Sequence, residues 1–533
     1  MYWNPPIELS EREEDICGRL TKQRRFFPFL RRVRHELFDA TFQAELEALY
    51  SKRPRGTPPL PAAFLTTVVL LQAYTRCSDF DAVSNAWHDA RWQMVLNLDP
   101  SHLDKAPFGE TTLVDFRHRL VRSGMAARLL HRTVDLAKAT RTFGYKQVAG
   151  LRIALDSVPL DGAGKVEDTI NLLGRAMRLL LQAVAAFLVL SPTEIAAQAR
   201  LPVLMAPSIK AGLDLDWHAP DASHAALTIL FEHMERLTQW MRANMTPGVT
   251  TKEVKAARTQ LHRIVQQDTE ADGQGGHRIA ERVAPDRQIS LNDPEMRHGR
   301  KSKTERIDGY KVYFAMDLDQ GLTLAAGVLP ANVPEARGAD KLAPSITAHG
   351  TIQQLAIDTA FFASDLATSV RHRPDAELVC RPLRPARRGL YTKLDFTIDL
   401  GAQTVTCPVG HLVVIQSSTA QFPDTTCSAC PERAQCQKPT AKHGRTIAVH
   451  PDEGFFQNAR AAQAKPEGRA RLRERVAVEH TGAHQRNRQG RFARYFGVAN
   501  NDFDVQRIAA VNNLLVIDRH ARVAEREALM PAA

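Results

Sequence analysis

The sequence predicts an α/β protein in which a mixed sheet forms the core, preceded by a helical N-terminal domain and interrupted by a helical insertion and a small cysteine-rich insertion. Three observations predict it. Apolar residues recur at three- and four-residue spacing between residues 61 and 124. Two β-type runs, "GLRIALD" (150–156) and "IQQLAID" (352–358), each stop on an aspartate. Four of the seven cysteines fall between Cys407 and Cys436.

Residues 1–145 read as the helical N-terminal domain. "PAAFLTTVVLLQAYTRC" (61–77) and "DFDAVSNAWHDARWQMVLNL" (79–98) have helical periodicity, and "GETTLVDFRHRLVRSG" (109–124) follows the loop marked by Pro107 and Gly109. In this last segment Leu113, Phe116 and Leu120 share one side, leaving Arg117, Arg119 and Arg122 to reach solvent. A short helix after a turn with arginines outward fits a helix-turn-helix reader of DNA, with Arg117 as a contact. An ordinary three-helix unit with a basic solvated face gives the same pattern.

Residues 146–164 hold the first core strand, expected to end on Asp156. Residues 165–290 read as the helical insertion, closing in the Gly-rich linker "EADGQGGHRIAERVAPDRQ". The core resumes over 291–384, where "DGYKVYFAMDLDQGLTLAAGVLPAN" (308–332) predicts two strands turned at Asp319 to Gly321. The strand that ends on Asp358, a helix and a further strand, "AELVCRP", follow. Residues 385–465 are the cysteine-rich insertion and 466–533 the C-terminal helices that complete the core. No internal repeat is present.

With 70 Lys plus Arg against 59 Asp plus Glu, the net charge of +11 favours a polyanionic partner. The excess is local: residues 441–494 hold 12 basic residues and five acids, and residues 22–34 hold six basic residues and no acid. Nucleic acid is the leading partner. The start of the sequence has no apolar segment of the signal-peptide kind, and the longest apolar run, 177–190, is 14 residues, short for a bilayer. A cytoplasmic protein with no membrane partner is expected, and the cysteines do not suit a secreted disulfide framework.

An aspartate at a strand end is exposed yet rigidly held, so Asp156 and Asp358 are candidates for a site that binds hard cations such as Mg²⁺. Two such ions could activate a water or hydroxyl and stabilise the leaving oxygen of a phosphodiester, and they need several carboxylates. Glu479 is the third candidate. It lies in the basic stretch "RLRERVAVEHTGAHQRNRQGRFARYFG" (471–497), and on a helix Arg475, Glu479 and Arg486 fall within about 40° of one another. A metal-binding acid beside phosphate-binding arginines suits phosphoryl transfer on DNA. A helix whose glutamate merely balances its arginines by i, i+4 pairing has the same spacing.

The spacing Arg475-x3-Glu479-x6-Arg486 resembles the Y-x2-R-x3-E-x6-K signature of DDE transposases from bacterial insertion sequences, with Leu472 at the tyrosine and Arg486 at the lysine. "ALDSVPLDGAGKVEDTINLL" and "AIDTAFFASD" are similar to the family's two aspartate regions, and "AAFLTTVVLLQAYTRCSDFDAVSNAWHDARWQMVLNLD" with "TTLVDFRHRL" resembles its helical N-terminal domain. The resemblance implies a ribonuclease H-like mixed-sheet catalytic core in which Asp156, Asp358 and Glu479 bind Mg²⁺ or Mn²⁺. It further implies cleavage at the terminal repeats of the element and attack of the freed 3′ hydroxyl on target DNA. Arg475 and Arg486 would hold phosphates, helped by Arg488, Arg491, Lys301 and Lys311. Double-stranded DNA is the implied partner and at least a dimer the implied assembly, since two element ends are handled together; the location is the bacterial nucleoid. The long insertion after Asp156 departs from the simplest ribonuclease H-like layout. A nuclease without strand transfer, or a DNA-binding protein whose chemistry is lost, are the competing readings.

Cys407, Cys427, Cys430 and Cys436 supply four thiolates at spacings that a structural, tetrahedral Zn²⁺ can gather, as in a zinc ribbon. His411 could replace one of them, and free thiols in a reducing cytosol are the other reading. "CPVGH" and "CPERAQC" also resemble a cysteine cluster of some of these transposases.

Overall fold

The computed structural model describes residues 2–20, 25–50, 58–140, 150–302, 304–382 and 389–529. Lys22 and Arg24 of the basic run, and the domain limits expected at 145 and 384, lie outside the described residues. Eight strands matter for the site: β1 (Leu151–Asp161), β2 (Thr269–Ala271), β3 (His277–Ile279), β4 (Arg297–Arg300), β5 (Arg306–Asp317), β6 (Thr323–Pro330), β7 (Ile352–Ile357) and β8 (Glu377–Cys380). Six of them form one mixed sheet in the order β4-β5-β1-β7-β8, with β6 also paired to β5. β5 is antiparallel to β1, β4 and β6, whereas β1, β7 and β8 run parallel.

The apolar run of β5 has both faces covered, as the near-continuous burial from Tyr310 to Asp317 requires. On one face Gly338 of the helix Glu335–Thr347 lies against the Tyr313 ring; on the other Gly482 of the helix Val476–Gln489 lies against Phe314. The last helix, Val498–Leu529, covers edge strand β6. Its Asn513 accepts from the Thr323 amide at 2.8 Å and its Asp502 from that of Val328 at 2.5 Å, which satisfies edge groups that would otherwise invite another strand.

The predicted helices of the N-terminal region are present, with 79–98 divided at Asp89 into Asp79–His88 and Ala90–Leu96. They share one continuous apolar core with the sheet. The last helix makes the join, since Arg507 donates to Gln72 and Asn513 to Thr133. The helical insertion has a core of its own. Its helix Thr169–Leu188 is long and apolar enough to cross a membrane by length and composition, a longer element than the 14-residue run suggested. Leu172, Leu173, Met177, Leu181 and Val184 of this helix are buried within the insertion.

Two expectations are corrected. β1 does not stop at Asp156 but continues to Asp161, because β5 is long enough to pair with it from Ile153 to Asp161. The Gly-rich stretch after residue 269 is not an unstructured linker: β2 and β3 pair as a hairpin, turned through Gly273 and Gly275 at positive φ.

Candidate active site

Asp156 and Asp358 come from adjacent chains of the sheet. Ala154 pairs with Ala356 in the parallel register, and each aspartate follows two residues later, so the two stand side by side at one end of the β1–β7 pair. Asp358 does end its strand, where its carboxylate caps the short turn Thr359–Phe361 by accepting from the Thr359 amide. Asp156 pairs with Phe314 inside the ladder. By strand alternation Asp156, Val158 and Phe314 share a face.

The Glu479 helix lies on that face. Val478, Gly482 and Gln485 are its buried positions, at the four and three spacing of one helical side. Gly482 lets it approach: a Cβ there would lie 2.5 Å from the Phe314 ring and 3.3 Å from Val158. Glu479 lies three residues earlier, linked to Asp156 through Arg475, and about half of its side chain is exposed. The expected single helix is two, Pro466–Glu474 and Val476–Gln489, which meet at Arg475.

Arg475 links the acids. Its Nη2 donates to Glu479 Oε1 at 2.6 Å, and its Nη1 lies 3.6 Å from Asp156 Oδ1. That Nη1 is buried and has no hydrogen-bond partner among the described residues. Burial pushes the Asp156 carboxyl above the usual range, the Ser157 amide, Arg475 and Lys301 oppose the rise, and the Glu479 charge adds to it. Lys301 reaches the same place, donating to the Ser157 carbonyl at 3.3 Å. Cys380, which sequence patterns did not single out, is a buried thiol beside Asp358; burial raises it to about 11, and the Asp358 charge contributes.

The other basic residues divide sharply. Arg486 is exposed and unpaired among the described residues, and Arg491 donates to Asp161 at 2.8 Å with most of its side chain in solvent. Three candidates for DNA contact are internal. Arg117 is buried, makes a two-point pair with Asp79 at 2.7 and 2.8 Å and lies over the Tyr495 ring, so it cannot point outward to read bases. Lys311 is buried against Glu335 at 3.0 Å. Arg488 donates to Asn512 and to the Tyr74 carbonyl, tying the N-terminal helices to the Glu479 helix. Two arginines of the basic run near the N-terminus are likewise buried: Arg31 pairs with Glu13, and Arg34 donates to the Met94 and Val95 carbonyls. Charge counts could not separate these from surface arginines, because both kinds add equally to the total.

The cysteine-rich region has a separate small core of Phe396, Val405, Ala420, Phe422, Ile447 and Val449. Cys407 and Gly410 close a tight turn, Cys427 and Cys430 lie on and just after the helix Asp424–Ser428, and the Arg445 amide donates to the Cys427 sulfur at 3.4 Å. The Cys436 thiol is raised by burial and by the charges of Cys427, Cys430 and Cys407, against the pull of Arg445. Neither here nor at the three acids, among the described residues, are three His, Cys, Asp or Glu side chains gathered closely enough to hold a metal ion. The donor types nonetheless fit: carboxylate oxygens suit a hard cation and thiolates suit zinc.

Two family models match the chain. One, described as a transposase DDE domain, matches residues 413–517, which include Arg475, Glu479 and Arg486. The other, described as a transposase domain (DUF772), matches residues 19–119 in the N-terminal helices. Together they indicate an insertion-sequence DDE transposase. Neither a curated protein nor a solved structure matches the chain. Of the three candidate acids only Glu479 lies within a matched segment; Arg475 links it to Asp156, which the sheet register sets beside Asp358.

Proposed function

We propose that this transposase binds the terminal inverted repeats of its own mobile element, cuts there and joins the freed ends to target DNA. The single observation that carries the reading is that Asp156 and Asp358 stand on the adjacent strands β1 and β7 while Arg475 bridges Asp156 and Glu479. The sheet order supports a ribonuclease H-like core: three antiparallel strands, β6, β5 and β1, continue into two parallel ones, β7 and β8.

Asp156, Asp358 and Glu479 would hold Mg²⁺ or Mn²⁺. When bound, the metal supplies activation of the attacking oxygen and neutralisation of the leaving one. Arg475 keeps two of these acids, Asp156 and Glu479, close despite their mutual repulsion, its Nη1 facing Asp156 and its Nη2 donating to Glu479. Arg486, exposed two turns further along the helix, and Lys301, at the other side of Asp156, extend the positive surface on which a backbone is held. Cys407, Cys427, Cys430 and Cys436 would hold a structural zinc ion that braces the insertion before the Glu479 helix. The working assembly is at least a dimer on DNA, in the bacterial cytoplasm.

The test is cleavage of a DNA fragment carrying the gene's own flanking ends, with Mg²⁺ or Mn²⁺, by the unaltered protein and by Glu479→Gln. Cuts at the element boundary that vanish in the variant are expected, as are products joined to a target plasmid. Equal cleavage by both proteins would sink the assignment of Glu479, and cuts with no joined product would leave a nuclease.

A further inference from the structure

A second basic feature takes in the end of the helical insertion. The end of β3 with the residues that follow it, β4, the start of β5 and residues 331–334 line a cleft of about 700 Å³. Its one acid, Asp268, is buried and consumed by Arg287 in a two-point pair at 2.7 Å. Three further arginines line it: Arg282 after the hairpin, Arg300 at the end of β4 and Arg306 at the start of β5. Arg300 and Arg306 are paired directly across the two strands. All three are exposed and have neither an ion-pair nor a hydrogen-bond partner among the described residues.

Two like charges placed opposite each other on a sheet destabilise it, so the Arg300–Arg306 pair is a cost that an anion between them would remove. Among the described residues no acid pairs with any of the three. Asp308 faces His298 at 2.6 Å, Asp286 takes Arg297 and Arg263, and Glu281 takes Arg278. The cleft wall is not purely polar, because Ile279 and Val283 line it and are exposed. Several separated cations along an open cleft with apolar surface between them suit a chain of phosphates carried on sugars rather than one small anion. Lys301, next in the chain to Arg300, donates to the Ser157 carbonyl beside Asp156.

We infer that this cleft holds the sugar–phosphate backbone of the DNA substrate, with Arg282, Arg300 and Arg306 each taking a phosphate. The inference rests on the transposase reading and gives the helical insertion a role, since the end of its hairpin forms part of the wall.

The test is equilibrium binding of a short DNA duplex of arbitrary sequence by the full-length chain, across salt from about 50 to 200 mM. The unaltered protein is compared with the triple variant Arg282→Ala, Arg300→Ala, Arg306→Ala. Each lost phosphate contact lowers the slope of log affinity against log salt by about 0.9, so the triple variant should lose about 3, with at least a tenfold weaker affinity at the lowest salt. An unchanged slope in the variant overturns the cleft assignment and leaves the transposase reading standing. Absence of duplex binding by the unaltered protein overturns both. Should the triple variant fail to fold, the single substitutions carry the test: each should lower the slope by about 0.9, and three unchanged slopes overturn the assignment.

Discussion

The imidazoles of His131 and His349 meet edge to face, with 4.6 Å between ring centres, where an N-terminal helix touches the turn before β7. Neither Nε2 has a hydrogen-bond partner among the described residues. Burial, with the charges of His131 and Lys138, pushes His349 down to about 4. The unfolded chain therefore takes up a proton near pH 6.5 that the folded chain refuses until about pH 4. Stability contributed by this pair is intact above pH 6.5 and falls as the pH drops through that window. Urea unfolding of His349→Phe should show a shallower loss between pH 6.5 and 4 than the unaltered protein; parallel curves would refute the account.

Asp156 gives the opposite sign. Its carboxyl is raised in the folded state, chiefly by burial, so its ionisation costs stability once the pH exceeds the ordinary aspartate range. In the presence of a metal chelator, Asp156→Asn should melt at a higher temperature than the unaltered protein at pH 7, with the gap closing toward pH 4. The same variant should not cleave. A lower melting temperature at pH 7 would show that the carboxylate is held by stabilising contacts instead.

Arg117 tests whether a basic helix reads DNA or only packs. Because its two-point pair with Asp79 is largely buried, Arg117→Ala should cost about 2 to 4 kcal/mol, the lower end reflecting the partial exposure of Asp79. DNA affinity, measured at a temperature where the variant is folded, should be unchanged. Weaker binding with unchanged stability would restore Arg117 as a contact.

Gly482→Ala separates helix propensity from fit. Alanine favours the helix by about 1 kcal/mol, yet its Cβ meets the Phe314 ring, and overpacking costs about 1 to 3 kcal/mol. Net destabilisation and slower cleavage are expected from denaturant titration and end cutting, since the helix that carries Glu479 must lift. A more stable, fully active variant would contradict the close approach.

Much of this arrangement was legible in the sequence. Strand runs that lead to aspartates, the hairpin between β5 and β6 and the helical spacing around Glu479 are local patterns, and each is present. The length of β1 was not legible, because its continuation past Asp156 depends on a partner strand some 150 residues away. Nor was the fate of the arginines. Arg117, Arg488 and Lys311 have the chemistry of phosphate ligands, but Asp79, the Tyr74 carbonyl and Glu335 reach them first, and those partners are remote or unmarked in the chain. Gly482 looked like any helical glycine until Phe314 was opposite it.

The contacts of Arg488 with Tyr74, of Arg76 with the Asn487 carbonyl, and of Arg507 with Gln72 fasten the first helices to the last two. The two matched segments are therefore one mechanical piece, although some 300 residues of sequence separate them. Recombination between related elements that exchanged only the front of the gene would break these fastenings and misalign Glu479. New end specificities should arise by drift of exposed residues within a lineage, and shuffled hybrids should be rare unless both termini travel together.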